Sequence, residues 1–178
     1  MKNATHFRFR RASGFTMLEV LIAIVVIAFG LLGLAGLQAF ALQNNVNAAQ
    51  RTASIRLAND MVDRMKANYV GVVNNNYHLP ASTDYATQVT SCISVGGCTT
   101  IQMAQNDAFD WAQSVAATLP GGLGIVCLDS TPNDGTSNTN SQCDNLGVRY
   151  VVKLWWVDDR SQANLAGNLR RLVVPFNP

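Results

Sequence analysis

The sequence predicts an α+β fold in which a long N-terminal helix packs, through its C-terminal half, on an antiparallel β-sheet. Two observations lead to this prediction. An apolar run near the N-terminus passes, with no helix breaker, into a polar segment whose apolar residues keep a helical spacing. Near the C-terminus, three short runs rich in β-branched and aromatic residues are joined by turn residues, which indicates an antiparallel meander.

The composition excludes several classes of protein. The chain has 178 residues, of which 48% are hydrophobic and only 13% are charged, and a disordered chain would have the opposite bias. Because there is a single long apolar run, a polytopic membrane protein is excluded. A net charge of +2 argues against a globally basic nucleic-acid-binding protein.

The charge is concentrated before the apolar run. Residues 1–14 contain four basic residues and no acidic residue, and no polar side chain occurs from Val20 to Leu37. A run of this length reaches the threshold for a membrane-spanning helix, which needs about 20 residues. Basic residues before the run and none just after it predict a cytoplasmic N-terminus, with the rest of the chain on the outer side.

Three interpretations of this segment compete. A secretory signal peptide would have an apolar stretch of about 7–15 residues that ends at a small-residue cleavage site. The run here is longer, begins beside Glu19 and continues into a helical pattern. A plain signal anchor would have no reason to contain Glu19. The third interpretation depends on the junction between the basic segment and the apolar run.

Residues 10–19, RRASGFTMLE, resemble the processing site of type IV prepilins. That family has a short basic leader, a Gly, a Phe, and a Glu at the fifth position after the cut. The resemblance implies that a membrane prepilin peptidase cleaves between Gly14 and Phe15 and methylates the new N-terminus at Phe15. Residues 1–14 would then be the leader peptide, and residues 15–178 the mature pilin.

Glu19 has a physical role that follows from its position. A carboxylate near a bilayer costs a few kcal/mol unless it is paired, and the α-amine of Phe15 would be a cation at neutral pH. The two groups lie four residues apart on one helix face. They would pair within one chain or, in a filament of parallel helices, between neighbours, so that Glu19 acts in assembly. The alternative is a carboxylate that only snorkels to the headgroups.

The apolar helix is predicted to continue into a globular head. We assign residues 15–42 to a transmembrane or filament-core helix and residues 43–178 to the head, with the helix ending near residue 68. The head part of the helix has an apolar stripe formed by Val46, Ala49, Ala53, Leu57, Met61 and Met65. Major pilins usually have a Pro in the apolar part, where this chain has Gly30, Gly33 and Gly36. Whether the helix unwinds there, or the glycines only allow close packing, stays open.

The rest of the head is predicted from local patterns. Residues 81–105 are expected to be loop with short extended pieces, and a short helix is expected from Asn106-Asp107 to Leu119. Strands are predicted at 123–128, 147–157 and 169–176. The order of Asp107, Trp111 and the run LPGG (119–122), followed by a strand, a Cys-bounded loop and an aromatic-rich strand, resembles PilV-type minor pilins. Trp155 and Trp156 point to opposite faces, so we expect one in the core and the other at an edge or interface.

The subfamily resemblance implies a function and a location. PilV-type subunits sit in the bacterial inner membrane with the head in the periplasm, and move to the pilus after assembly. Their partners are other minor and major pilins, bound through the N-terminal helix, in a complex that primes filament growth and sits at the tip. Nothing in the sequence indicates a nucleic-acid partner.

All four cysteines, Cys92, Cys98, Cys127 and Cys143, follow the apolar run and are expected in an oxidising compartment, where disulfides form. Four cysteines allow three pairings. We favour the local one, Cys92–Cys98 and Cys127–Cys143. A metal site is not expected, because no CxxC pair occurs and His is scarce.

No enzymatic activity, cofactor or small-molecule substrate is expected. The sequence has no nucleophile elbow, zinc-protease motif or P-loop. His78 is expected to be a solvated loop residue, and the pairs Asp107/Asp110 and Asp158/Asp159 are explained by helix caps and turns. Arg170 and Arg171 alternate across a strand and should not form one patch.

Two rival functions remain open. The first is a type II secretion pseudopilin, which residues 163–168 disfavour because they lack an acidic calcium-ligand cluster. The second is a signal-anchored periplasmic binding protein, which would retain residues 1–14.

Overall fold

The structure, a computed structural model, describes residues 14–158 and 169–178. The element order is α1 (Met17–Ala67), α2 (Tyr69–Val73), two 3₁₀ turns (Ser82–Tyr85 and Thr90–Ile93), α3 (Thr100–Thr118), β1 (Leu123–Leu128), β2 (Tyr150–Val157) and β3 (Leu169–Phe176). The predicted α+β class and the three predicted strands are confirmed. The leader, Asp159 and residues 163–168 lie outside the described residues.

The chain divides into two compact units, Met1–Asn45 and Val46–Pro178. We call the first the apolar unit and the second the head unit. The division falls three residues after the boundary drawn from the sequence.

The head part of α1 is amphipathic, but its buried stripe is shorter than predicted. Leu57, Met61 and Met65 are buried, together with Ser54, Ala58 and Val62. The first members of the predicted stripe, Val46 and Ala49, are exposed. Helical spacing identifies a face, whereas the length over which that face is covered depends on the rest of the head.

Helix α3 begins well before the predicted start at Asn106-Asp107. The Thr99 hydroxyl accepts from the Gln102 N–H at 3.3 Å, and the Gln102 side chain accepts from the Thr99 N–H at 2.9 Å. This capping box satisfies two otherwise unpaired donors and starts the helix at Thr100. The expectation of loop with short extended pieces over 81–105 is correct only in part. Residues 86–89 and 94–99 are loop, but the segment also contains the two 3₁₀ turns and the first turn of α3, and it has no strand.

The sheet has the strand order β1-β2-β3, and both pairs are antiparallel. Strand β2 begins at Tyr150 rather than at residue 147, and Gly147 has a φ of 89°, which favours glycine. All eight residues of β2 are buried. Trp155 and Trp156 are therefore both buried, and the expectation that one lies at an edge or interface is wrong.

The two faces of β2 have different covers. On one face, a Cβ added to Gly124 would meet Trp111 of α3 and Leu154, and the Tyr150 hydroxyl donates to the Val72 carbonyl at 3.1 Å. On the other face, Lys153 contacts the polar loop 129–143. Helices therefore cover one side of the sheet, and a loop covers the other.

The outer edge of β1 is closed by the segment that follows α2. The Leu79 N–H donates to the Val126 carbonyl at 2.9 Å, and the Tyr85 hydroxyl accepts from the Val126 N–H at 2.6 Å. Nδ1 of His78 accepts from the Leu128 N–H at 3.1 Å. His78 lies in a loop, as predicted, but it is half-buried and bonded to the sheet edge, so the expectation that it is solvated is wrong. These bonds pair backbone groups that an edge strand would otherwise leave open.

Candidate functional site

The expected processing junction lies just before α1. Gly14 and Phe15 are outside regular secondary structure, the Phe15 side chain is 83% exposed, and a Cβ on Gly14 would meet nothing within 4 Å. A peptidase that binds an extended backbone needs such an open segment, and in this chain no other described residue crowds Gly14.

Glu19 lies in the first turn of α1. Its own N–H donates to the Thr16 hydroxyl at 3.3 Å and to the Thr16 carbonyl at 3.1 Å, so that Thr16 caps the helix. The N-terminus of a helix carries a partial positive charge, which favours a carboxylate there. The Glu19 side chain is exposed and has no ion-pair partner among the described residues.

The apolar unit buries none of its own surface. Every residue from 14 to 45 is exposed, including large side chains such as Leu18, Ile24, Phe29, Leu32 and Phe40. Among the described residues, α1 is the one helix that is long and apolar enough to cross a membrane, and its apolar part lies in this unit. Such a surface needs lipid or other apolar helices around it.

The three glycines of the apolar unit are not required by packing within this chain. A Cβ on Gly30, Gly33 or Gly36 would meet nothing within 4 Å, and α1 continues through all three as a regular helix. Glycine weakens a helix by about 1 kcal/mol relative to Ala. A role in close approach of another helix would explain why the chain accepts that cost.

The head unit contains two disulfides. Cys92 is bonded to Cys98, and Cys127 is bonded to Cys143. The first closes a small loop before α3. The second joins β1 to the end of loop 129–143, the loop that covers the second face of the sheet.

Lys153 is a fully buried charge that was not singled out from the sequence. Its side chain is 0% exposed, and Nζ lies 2.5 Å from Oδ2 of Asp129 and 2.9 Å from Oδ1 of Asp134. Nζ also donates to the Ser141 carbonyl at 2.8 Å. Lys153 therefore fastens both ends of loop 129–143. A lysine within the apolar run YVVKLWWV was the available signal.

The two arginines of β3 act separately, as expected. Arg171 donates to the carbonyls of Asn133 at 2.6 Å and Asp134 at 2.7 Å, and so also holds loop 129–143. Arg170 pairs with Asp158. Neither contact involves the other arginine.

Asp107 is not a helix cap, which corrects the prediction. It lies inside α3, where Oδ2 accepts from the Tyr77 hydroxyl at 2.5 Å and Oδ1 is 3.6 Å from Nη1 of Arg64. Burial raises the pKa of Asp107 and that of Tyr77. Asn68 donates to both the Tyr77 hydroxyl and the Thr100 carbonyl. This network joins the end of α1 to α3. Asp110, which also lies inside α3, accepts from Asn106 at 2.9 Å.

One group of potential metal ligands occurs in the described part of the chain. The ligand atoms of Cys127, Asp129 and Cys143 lie within 4.8 Å of one another. The two sulfur atoms are bonded to each other and Asp129 is paired with Lys153, so these residues do not fit a metal ion.

Comparison with known proteins gives two matches, both to family models. The prokaryotic N-terminal methylation motif matches residues 9–35, which include the Gly14–Phe15 junction and Glu19. A family described as type IV pilin Tt1218 matches residues 36–109. No curated protein and no solved structure matches the chain significantly.

Proposed function

We propose that this chain, which belongs to the type IV pilin family, is a minor pilin that joins a priming or tip complex in pilus biogenesis. Its partners would be other minor and major pilins, the prepilin peptidase and the inner membrane. The head would lie in the periplasm before assembly and at the cell surface afterwards. Adhesion, twitching motility and DNA uptake are the processes that such a subunit would serve.

The observation that carries this proposal is the apolar unit. All of its described residues are exposed, and Glu19 is the one charged residue between Phe15 and Gln50. A helix with this surface is stable in two surroundings, a bilayer or a bundle of similar helices. A pilin occupies the first before assembly and the second afterwards.

Cleavage after Gly14 would supply the partner that Glu19 needs. The new α-amine of Phe15 would be a cation, and in a dry filament core a carboxylate without a partner costs several kcal/mol. Pairing between Glu19 of one subunit and the amine of a neighbour would therefore set the register of docking.

We also propose that the role is structural and not catalytic. The acidic groups first considered for chemistry have structural partners instead: Asp107 binds Tyr77, Asp110 binds Asn106, and Asp158 binds Arg170. His78 accepts a backbone hydrogen bond at the edge of β1.

Processing is tested by mass spectrometry of the protein isolated from membranes. We expect an N-terminal, methylated Phe15. An N-terminus at Met1 would favour the signal-anchored binding protein, and one beyond residue 30 would indicate signal-peptide cleavage; either result would contradict the pilin assignment.

The assembly role is tested with Glu19→Ala, which should still insert in the membrane and be cut after Gly14. At equal membrane levels, we expect it to be lost from sheared filaments and from complexes with partner pilins, since a penalty of about 3–5 kcal/mol accompanies an unpaired buried charge. Asp63→Ala is a matched control, because it removes an exposed carboxylate from the same helix within the head unit. Normal assembly of Glu19→Ala would contradict the role in docking and would favour the alternative that Glu19 only snorkels to the headgroups.

The minor role is tested by the abundance of the subunit in purified filaments. We expect far fewer copies than of the major pilin, and loss of filaments when the gene is deleted together with its partners. Incorporation only into secretion pseudopili would support the pseudopilin alternative instead.

A further inference from the structure

The contact between Lys153 and Asp129 brings an amine against a carboxyl group in a fully buried site. Both side chains are 0% exposed, and Nζ lies 2.5 Å from Oδ2. Oδ2 nevertheless has no aligned hydrogen bond, because Nζ directs its donors to Asp134 and to the Ser141 carbonyl. We propose that Lys153 and Asp129 condense into an intramolecular isopeptide bond.

The distance brings the reacting atoms close together. A carbon–oxygen bond is about 1.2 Å long, so Nζ lies within about 3.8 Å of Cγ of Asp129. Groups held close to about 3–3.5 Å in a fixed geometry react as if at very high concentration. Lys153 is held by β2, and Asp129 directly follows β1, the neighbouring strand.

The amine attacks the carboxyl group of Asp129 and not that of Asp134. The Asp129 side chain is 0% exposed, whereas that of Asp134 is 38% exposed. Oδ1 of Asp129 accepts from the Thr131 N–H at 2.9 Å, which polarises the carboxyl group toward attack. Asp134 receives a hydrogen bond from Nζ and another, at 2.6 Å, from the Thr131 hydroxyl, a position suited to proton transfer.

The reaction needs no co-reactant. Asp134 takes one proton from the Lys153 ammonium group and passes it to Oδ2 of Asp129. The free amine attacks Cγ and forms the carbon–nitrogen bond. A second proton leaves the nitrogen by the same route to Oδ2, the Cγ–Oδ2 bond breaks, and one water molecule departs. Ammonium and carboxylate thus become amide and water, and Asp134 regains its initial state.

Peptide mapping of the full chain isolated from membranes tests the proposal. Between Lys66 and Arg149 the sequence has no trypsin site, and the next sites are Lys153 and Arg160. After reduction and alkylation, the cross-linked protein should give one species containing residues 67–149 joined to 150–160, one water lighter than the two peptides together. The bond to Lys153 blocks cleavage there. Release of free 150–153 in stoichiometric yield would overturn the proposal, and so would fragmentation that places the link on Asp134.

Variants separate the reacting groups from their surroundings. Asp129→Ala should abolish the cross-link, whereas Asp144→Ala, which removes an exposed carboxylate just after the same loop, should retain it. Asp134→Asn keeps both reacting groups and should slow formation about 100-fold, as expected for loss of a proton-transfer group. Pulse–chase labelling with the same tryptic readout measures that rate. An unchanged rate in Asp134→Asn would remove Asp134 from the mechanism, and a cross-link in Asp129→Ala would overturn the proposal.

Discussion

The apolar unit and strand β2 are both rich in hydrophobic residues, yet their environments are opposite. No described residue of the apolar unit is buried, whereas every residue of β2 is buried, Lys153 included. The head unit supplies its own cover from helices on one face and loop 129–143 on the other. The apolar unit has regular helical hydrogen bonds but no cover of its own. Its apolar surface needs surrounding lipid or other apolar helices to cover it. This difference separates residues that fold the head from residues that stay available to other molecules.

The largest expected effect on head stability comes from Trp111. Its side chain is fully buried, and its indole N–H donates to the Leu57 carbonyl at 2.8 Å. Trp111→Ala should lower the free energy of unfolding by about 3–5 kcal/mol, measured by denaturant titration in detergent. Phe29→Ala removes an aromatic ring that is 72% exposed in the apolar unit. It should change the free energy of unfolding by less than about 0.5 kcal/mol. Similar losses of stability in both variants would contradict the distinction between a self-covered head unit and an uncovered apolar unit.

Removing the Cys127–Cys143 disulfide should have the next largest effect. The double Ala variant should lose about 3 kcal/mol on the chain-entropy model, against about 2.4 kcal/mol for the shorter Cys92–Cys98 loop. Because loop 129–143 covers one face of β2, the first variant should also expose Trp155 to fluorescence quenchers. A greater loss from the Cys92–Cys98 variant would show that the loop cover matters little.

A smaller, pH-dependent effect is expected at His78. Burial lowers the pKa of His78, while Asp84 and Asp144 oppose that shift. The neutral ring accepts from the Leu128 N–H, so its stabilising effect is full above the unfolded pKa of about 6.5. It is lost as the pH falls from there toward the folded pKa, which burial holds below the unfolded value. In His78→Gln, the free energy of unfolding should depend less steeply on pH across this range. If its pH dependence is unchanged, His78 is not the group responsible.

The smallest effect on head stability, close to zero, is expected from Gly33→Leu. The space around Gly33 is open in this chain, so unfolding of the head should be unchanged. Incorporation into filaments, measured by immunoblot of sheared material, should fall because a large side chain separates neighbouring helices. Gly33→Ala keeps the residue small and should still assemble. Equal incorporation of both variants would mean that helices do not approach at Gly33.

Local patterns in the sequence were sufficient for the main elements of the fold. The apolar spacing of α1 and the β-branched runs of the strands predicted helix and sheet, because such periodicity reflects which face is covered. The start of α3 was missed although its signal was present, since Thr99 and Gln102 form a capping box. Asn106 and Asp107 are residue types that favour a helix start, and they placed the predicted start too late.

Other features depended on partners distant in sequence. Lys153 is buried because loop 129–143 folds over it. Asp107 accepts a hydrogen bond from the hydroxyl of Tyr77, 30 residues away. His78 bonds to Leu128, 50 residues away. A polar loop covering a sheet face has no local signature. Gly14, Phe15 and Glu19 could be identified without knowledge of distant partners, because the motif that they form is a short continuous stretch of sequence.

The Tyr150–Val72 hydrogen bond joins residues 78 positions apart, and this separation has a consequence in time. Ribosomes add about 5–20 residues per second, so roughly 4–16 seconds separate the synthesis of Val72 from that of Tyr150. During that interval the apolar face around Met61 and Met65 exists without the strand that later belongs to the same core. Until β2 arrives, residues of α3 such as Trp111 are the part of that core already made, so we expect the new chain to expose apolar surface for several seconds.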